Sequence, residues 1–386
     1  MGLSKTIWAC PSELVRARQP DHPVMFFAPT VLQATARQFI QGFAGLVTYA
    51  VKSNPDEMVI QNLAAAGIRG FDVASPVEIA MIRRLAPGAA MHYNNPVRAR
   101  AEIAFAVEQG VVSYSVDSRS ELQKLIEIVP AAGPTGAGTE ITVRFKLPVP
   151  GAAYNFGAKF GATVEAAVDL LRGVADAGFI PSLTFHPGTQ CTDPMAWDSY
   201  IRAAAEICRL SGVQARRLNV GGGFPSHRQS GELPRLEEIF ALIDRVASDA
   251  FGDARPALVC EPGRGLVAES MTLAARVKGV RDGSHVFLND GVYGCMDELP
   301  LTGMIDRVSV LTPEGTRRQG ALEGRIVFGP TCDSVDRLPG EIALPSDVAE
   351  GDYLLIAGMG AYSTATNTTF NGFGALTIAT VLSLAR

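Results

Sequence analysis

From residue 46 to residue 261 the chain repeats one pattern: a short apolar or β-branched run, a polar turn, then a longer stretch with apolar residues every three or four positions. A short apolar run bounded by turn formers is what a buried strand requires, and the longer spacing puts apolar side chains on one face of a helix. The strands this predicts are LVTYAV (46–51), GFDVA (70–74), MHYN (91–94), VSYSVD (112–117), ITVRF (141–145), SLTFH (182–186), RLNVG (217–221) and ALVCE (257–261). Helices are predicted between them, such as SPVEIAMIRRLA (75–86), NPVRARAEIAFAVEQG (95–110), TVEAAVDLLRGVADAG (163–178) and LPRLEEIFALIDRVASDAF (233–251). Eight strand-helix units over about 220 residues fit a closed (β/α)8 barrel, typically ~250 residues, better than an open doubly wound sheet.

After Gly265 the rhythm changes. The runs TLAARVKGV, HVFLND, GRIVFGP and DYLLIAGMG are separated by Gly, Pro and Asp, and no long helix is expected before 372–386. That is the pattern of an all-β part, a sandwich or small barrel. The early segments SKTIWACPS and PVMFFAP are too short to fold alone and are expected to lend strands to it. The expected organisation is therefore a barrel over 28–265 and a β domain made of 1–27 with 266–386.

Composition narrows the function classes. Among 386 residues, 47% are hydrophobic and 19% charged, and 34 Lys+Arg against 39 Asp+Glu give a net charge of −5 with no basic block. Nothing in that balance recruits nucleic acid or an anionic membrane surface. The N-terminus lacks the apolar core of a secretory signal, and no run reaches the ~20 apolar residues of a membrane span, so the expected location is the cytoplasm. Cys10, Cys191, Cys208, Cys260, Cys295 and Cys332 show no CxxC spacing, so neither a metal site nor a disulfide framework is expected.

The candidate chemistry gathers at predicted strand ends. Lys52, in YAVKSNP, ends the first barrel strand, on the face where barrel enzymes carry their chemistry; alone it would be an ordinary solvated lysine. GGGF (221–224) follows the seventh strand, where glycines let backbone N–H groups approach an oxyanion, although such a triplet can equally be a plain loop. EPGRG (261–265) sets Glu261 and Arg264 after the eighth strand, and as an isolated string could be a surface turn with a salt bridge. His186 ends the sixth strand in HPGTQ. A lysine, a glycine cradle, a carboxylate and a flat ring at one barrel mouth describe a pyridoxal 5'-phosphate site. The lysine forms the Schiff base, the glycine amides hold the phosphate, and the acid keeps the pyridine nitrogen protonated.

The chain resembles the ornithine/lysine decarboxylase branch of the alanine-racemase-like, barrel-type (fold type III) pyridoxal phosphate enzymes. The resemblance runs through YAVKSNP, FDVAS, KFGA, HPGTQ, GGGFP, EPGRG, NDGVYG, GPTCDSVDRL and GAYSTATNTTFNGF in order, nearly the whole chain. It implies that Lys52 carries the cofactor, Glu261 pairs with the pyridinium, His186 stacks on the ring and Asp72 lies close by. It implies phosphate contacts for Gly221, Gly222, Gly223, Arg264 and Tyr362, with Arg144 and Thr189 nearby. It further implies a homodimer whose sites are completed by the partner's CDS segment. There Cys332 would be the Cα proton donor and Asp333 the anion for a distal ammonium, with Tyr293 and Phe370 also on the substrate side. Lys159 and Asp336 match a pair that bridges the subunits. The implied reaction is decarboxylation of a basic L-amino acid, ornithine giving putrescine first and lysine giving cadaverine second. The related diaminopimelate enzymes carry Cys-Glu-Ser where this chain has CDS, which argues against that substrate.

One stretch departs from the family. Where the eukaryotic ornithine enzymes place a Tyr-Asp pair that holds the distal amine, this chain reads CMDELPLTGM (295–304), with Thr302 at the second aspartate's position and Asp297 and Glu298 just before it. Substrate length is therefore open among diamino acids. PVPGAAYNFGAKFG (148–161) is a candidate cover for the site or a linker. A non-catalytic relative and an amino-acid racemase are the rival readings.

Overall fold

The computed structural model describes residues 6–132, 138–148, 157–231 and 233–385. The chain divides into two compact units, one of Ala36–Pro225 with Arg235–Gly263 and one of Met1–Thr35, Ser226–Pro234 and Arg264–Arg386. Its strands are, in order, β1 (Val24–Phe27), β2 (Leu46–Ala50), β3 (Gly70–Val73), β4 (Ala90–Tyr93), β5 (Ser113–Val116), β6 (Glu140–Arg144), β7 (Ile180–Thr184), β8 (Arg217–Asn219) and β9 (Ala257–Cys260). They continue with β10 (Met271–Arg281), β11 (His285–Leu288), β12 (Val308–Leu311), β13 (Leu322–Phe328), β14 (Ile342–Pro345), β15 (Tyr353–Ala357) and β16 (Thr377–Thr380).

Strands β2 to β9 close into a parallel barrel, β2 pairing with both β3 and β9. All eight strands read from the sequence are present. The register sets Ala50 beside Asp72 and Asp72 beside His92, so residues at matched heights face one another across the strands. The helices begin where short polar side chains cap them. Asp56 accepts from the N–H of Met58 at 2.8 Å, Ser75 from Glu78 at 3.3 Å and Thr163 from Ala166 at 3.3 Å, each such cap being worth about 1 kcal/mol. The helix expected from residue 95 starts at Arg100 instead, because Pro96 disfavours helical backbone before it and Glu102 reaches back to the N–H of Ala99 at 2.7 Å.

The N-terminal end of the barrel is closed by a buried polar plug. Glu140 accepts from Ser182 at 2.6 Å, from Ser113 at 2.9 Å and from Arg217 at 3.3 Å, which satisfies a carboxylate that would otherwise be costly to bury. Partners on three other strands tie the barrel together at the end opposite the strand C-termini, where barrel conservation serves stability.

In the other unit the main sheet runs β12-β15-β10-β11-β13-β14, and β1 joins it antiparallel to β10 and parallel to β16. PVMFFAP thus supplies a strand, and Trp8 of the first segment bridges to Val381. A helix, Pro11–Arg18, lies between those segments, so the unit is sheet-rich and not purely β. The helix expected over 372–386 does not form. Gly372 and Gly374 take positive φ, and the β-branched run Thr377–Thr380 pairs with β1. Leu14, Val15, Phe26, Tyr353 and Leu355 make the core beneath this edge.

Candidate active site

The chain after β2 turns sharply through a 3-10 turn, Val51–Ser53, which carries Lys52. Two buried bonds hold the turn: Tyr49 Oη donates to the carbonyl of Asn54 at 2.9 Å, and Ser53 Oγ donates to Tyr49 Oη at 3.0 Å. Lys52 is thereby fixed over a cavity of about 210 Å³ that it lines with Asp72, Asn94, Arg144, His186 and Glu261. These are the C-terminal ends of six different barrel strands, which is why residues so far apart in sequence meet.

The cavity holds two buried carboxyls. Burial, and then the charge of Glu261, push Asp72 well above the usual carboxylate range; burial pushes Glu261 up as well, against the pull of Asn219, Lys52 and Arg144. The side-chain amides of Asn94 and Asn219 both donate to Oε1 of Glu261. Burial outweighs the pull that Lys52 and Arg144 exert on both carboxyls. Burial, reinforced by Lys52 and Arg144, holds His186 well below the ordinary imidazole range, so its ring is neutral at pH 7. Its Nδ1 accepts the N–H of Gly188 at 3.0 Å, which places the ring proton on Nε2. Phe160 adds an aromatic face, with the Arg144 guanidinium 5.2 Å from its ring centre. Thr189 lies half-buried further along the loop of His186, outside the cavity lining.

The glycine triplet is packed closely against the loop that follows β7. Gly221 has φ +70° and a Cβ there would lie 2.2 Å from the carbonyl oxygen of Phe185; Gly223 has φ +85° and would press on the carbonyl of Gly188 at 2.2 Å. The missing Cβ atoms make room for the adjacent backbone at both positions. The N–H of Gly221 is also engaged, by Asn219 Oδ1 at 2.9 Å, which leaves Gly222 and Gly223 as the donors of this loop.

In the sheet-rich unit, Arg264 is buried with its Nη2 against both oxygens of Glu298, at 2.6 and 2.5 Å, and its guanidinium 5.2 Å from the ring centre of Tyr362. Its Nε is buried and makes no hydrogen bond. Arg228 is buried too; burial and then the charge of Arg264 pull it down to about 10, and its Nη2 donates to Thr302 Oγ1 at 3.0 Å. Two buried guanidiniums beside one carboxylate are short of negative charge.

The same unit gathers the residues read as substrate-facing. Tyr293 Oη donates to Asp333 Oδ2 at 2.6 Å, and its ring lies 4.6 Å from that of Phe370. That bond, with the N–H of Val335, holds Asp333 below the ordinary carboxylate range. Cys332 is the one exposed thiol of the six cysteines, all of them unpaired. Within its own chain Asp336 is well bonded. It is 1% exposed, and its oxygens accept from Val292 N–H at 2.9 Å, Thr331 N–H at 3.0 Å and Thr331 Oγ1 at 2.7 Å, so it braces its own loops while Lys159 is exposed on the barrel. Residues 149–156, the middle of the candidate cover, lie outside the described residues.

Asn94, Asn219, Phe160 and Arg228 were not singled out in the sequence. The two asparagines carried a usable signal, since each stands at the C-terminal end of a barrel strand, the argument that picked out Lys52.

Residues 31–268 match the family described as pyridoxal-dependent decarboxylase, pyridoxal binding domain. The chain belongs to the pyridoxal-dependent decarboxylases. It is 30% identical over 350 residues to ornithine decarboxylase of Mus musculus, covering 84% of this chain and 73% of the relative. It is 30% identical over 335 residues to the lysine/ornithine decarboxylase of Selenomonas ruminantium, covering 85% and 81%. Among solved structures, the arginine decarboxylase of Paramecium bursaria Chlorella virus superposes with a TM-score of 0.84 at 25% identity, covering 95% of this chain and 98% of that one. This decarboxylase is an enzyme of the ornithine/lysine branch and uses pyridoxal phosphate. Its own residues fit that group. At the barrel mouth Glu261 offers a buried carboxyl to a pyridine N–H within the cavity that Lys52 lines, and in the sheet-rich unit Arg264, with its idle Nε, offers a donor to an anion such as phosphate.

Proposed function

We propose that this decarboxylase acts on a diamino acid, L-ornithine first and L-lysine second, as a cytoplasmic homodimer that releases the amine and CO2. The observation that carries the substrate class is Asp333, a carboxylate held ionised by Tyr293 and beside Phe370, where a substrate's distal ammonium would find a counter-charge. Thr302 adds no second anion, because its hydroxyl donates to the carbonyl of Glu298 at 2.8 Å and accepts from Arg228. Glu298 is itself engaged by Arg264. Ornithine, lysine and arginine, the amino acids for which these relatives are named, all end in a cation.

Pyridoxal phosphate, when bound, withdraws electrons from the Cα of the amino acid it carries, and so eases loss of the carboxylate. Lys52 holds the cofactor covalently from its rigid turn. Glu261 receives the pyridine N–H, with Asn94 and Asn219 fixing the orientation of its carboxyl. His186, neutral, offers a flat face without adding charge. Asp72 and Arg144 set the local field, and the amides of Gly222 and Gly223 and the guanidinium of Arg264 are assigned to the phosphate. Cys332 delivers a proton to Cα after CO2 has left.

Purified protein loaded with the cofactor is to be offered ornithine, lysine, 2,4-diaminobutyrate, arginine and diaminopimelate separately. Putrescine as the dominant product supports the reading, cadaverine moves it to lysine, and agmatine or no CO2 at all overturns it. Sharing of sites between subunits is tested by co-expressing Lys52→Ala with Cys332→Ala. Partial activity from the mixture supports it, and two inactive variants that stay inactive together refute it.

A further inference from the structure

Three loops of the sheet-rich unit converge on Cys332: the turn of Tyr293, the CDS loop itself, and the segment 367–374. The third loop is anchored to the first, since Thr368 donates from both N–H and Oγ1 to the carbonyl of Tyr293, at 3.1 and 2.6 Å. It then turns through Asn371, whose backbone is left-handed at φ +53°. Asparagine is among the few side-chain-bearing residues that tolerate this conformation. The turn brings Asn371 Oδ1 to 3.1 Å from the backbone N–H of Cys332 and 3.2 Å from its Sγ. The N–H can only donate, so the atom it meets is the amide oxygen and the orientation of the Asn371 amide is fixed. The same oxygen then accepts from the thiol.

We propose that Asn371 is the positioning residue for Cys332: its carbonyl oxygen holds the thiol in one rotamer, with the proton on sulfur, until that proton is transferred. This rests on the role proposed for Cys332. In the step it serves, the S–H bond breaks as a Cα–H bond forms with the electron pair that departing CO2 left behind, and the resulting thiolate is reprotonated by solvent. With an unheld thiol, protonation at the cofactor's C4′ in place of Cα, followed by hydrolysis of the C=N bond by water, would yield an aldehyde and pyridoxamine phosphate in place of the amine.

The left-handed turn supplies a clean pair of variants. Asn371→Gly keeps the backbone conformation and removes the acceptor, whereas Asn371→Asp keeps an acceptor at the same place. The first readout needs no cofactor: alkylation of Cys332 by iodoacetamide in PLP-free protein, followed by peptide mass. Asn371→Gly is expected to react several-fold faster than wild type and Asn371→Asp at close to the wild-type rate. The second readout, on loaded enzyme, is the ratio of amine to aldehyde, which should fall in Asn371→Gly and be restored in Asn371→Asp. An unchanged alkylation rate and ratio in Asn371→Gly overturns the inference. Cys332→Ala separates the two levels. If it leaves the product ratio intact, the proton-donor role itself fails; if it shifts the ratio while Asn371→Gly does not, only the role of Asn371 fails.

Discussion

Glu261→Gln tests the central electrostatic claim, that this carboxyl waits for a positive charge. The side chain is buried among Asp72, Asn94 and Asn219, and burial lifts it above the carboxylate range. Glutamine keeps an oxygen for the two asparagine amides while removing both the desolvation cost of a buried carboxylate and the repulsion with Asp72. The PLP-free variant should therefore be more stable than wild type at pH 8, read as a rise in melting temperature of a few degrees, about 2–4 °C for each kcal/mol in a unit of this size. The pH dependence has a definite sign. The folded carboxyls bind protons more tightly than the unfolded ones, so their contribution is complete below about pH 4 and is lost as pH rises through the raised folded range. Wild-type apoprotein should lose stability along that rise, and Glu261→Gln should flatten the slope. Loaded enzyme responds the opposite way, with kcat falling roughly 100- to 1,000-fold once the ring nitrogen loses its counter-charge. Scanning calorimetry of apoprotein from pH 5 to 9 decides it: an apo variant that melts no higher than wild type at pH 8, with the same slope, refutes the reasoning.

Lys52→Ala should abolish the visible absorbance of bound cofactor and its borohydride-stable attachment; a retained covalent adduct at another lysine would remove Lys52 from the mechanism. Asp333→Asn should raise KM for ornithine by about 10- to 100-fold, the range of one hydrogen bond to a charge, with a smaller change in kcat. Steady-state kinetics showing an unchanged KM would place the distal amine elsewhere. Glu298→Gln removes the anion already seated on Arg264 and should tighten PLP binding by about tenfold, ~1.4 kcal/mol, in a fluorescence titration. Weaker binding would mean that Glu298 orients Arg264 and does not compete for it.

The barrel was legible because each of its strands is a short apolar run closed by turn formers, and because a parallel barrel requires a helix between successive strands. LVTYAV and ALVCE, far apart in sequence, close the ring as β2 and β9. The C-terminal segment misled for a local reason: GFGALTIATVLSLAR alternates small and apolar residues that suit a helix, and only β1, more than 300 residues away, supplies the strand it pairs with. At the site, Lys52, Glu261 and His186 could be placed because strand ends are readable. What those residues touch could not. That Asn94 and Asn219 converge on one oxygen of Glu261, or that the glycine triplet yields to the carbonyls of Phe185 and Gly188, follows from side-chain directions that no pattern in the string encodes. Asp336 shows the same limit, since no motif announces that its oxygens accept from Val292 and Thr331.

Burial leaves an electrostatic imbalance in each unit, raised carboxyls in one and close guanidiniums in the other. The barrel mouth holds two carboxyls raised by burial, and the sheet-rich unit holds two buried guanidiniums with one carboxylate and an idle Nε. Buried charge without a partner costs stability, so an apoprotein built this way stands below its attainable stability in both places. In the barrel unit, the N–H of a pyridine ring would give Glu261 a hydrogen-bond donor. Because the cofactor binds the folded chain and not the unfolded one, its binding free energy adds to folding. Saturating PLP should consequently raise the melting temperature of wild type more than that of Glu261→Gln, whose apo form has already lost one of the two imbalances. Equal increments in the two proteins would show that the carboxyl contributes nothing to the linkage between cofactor and fold.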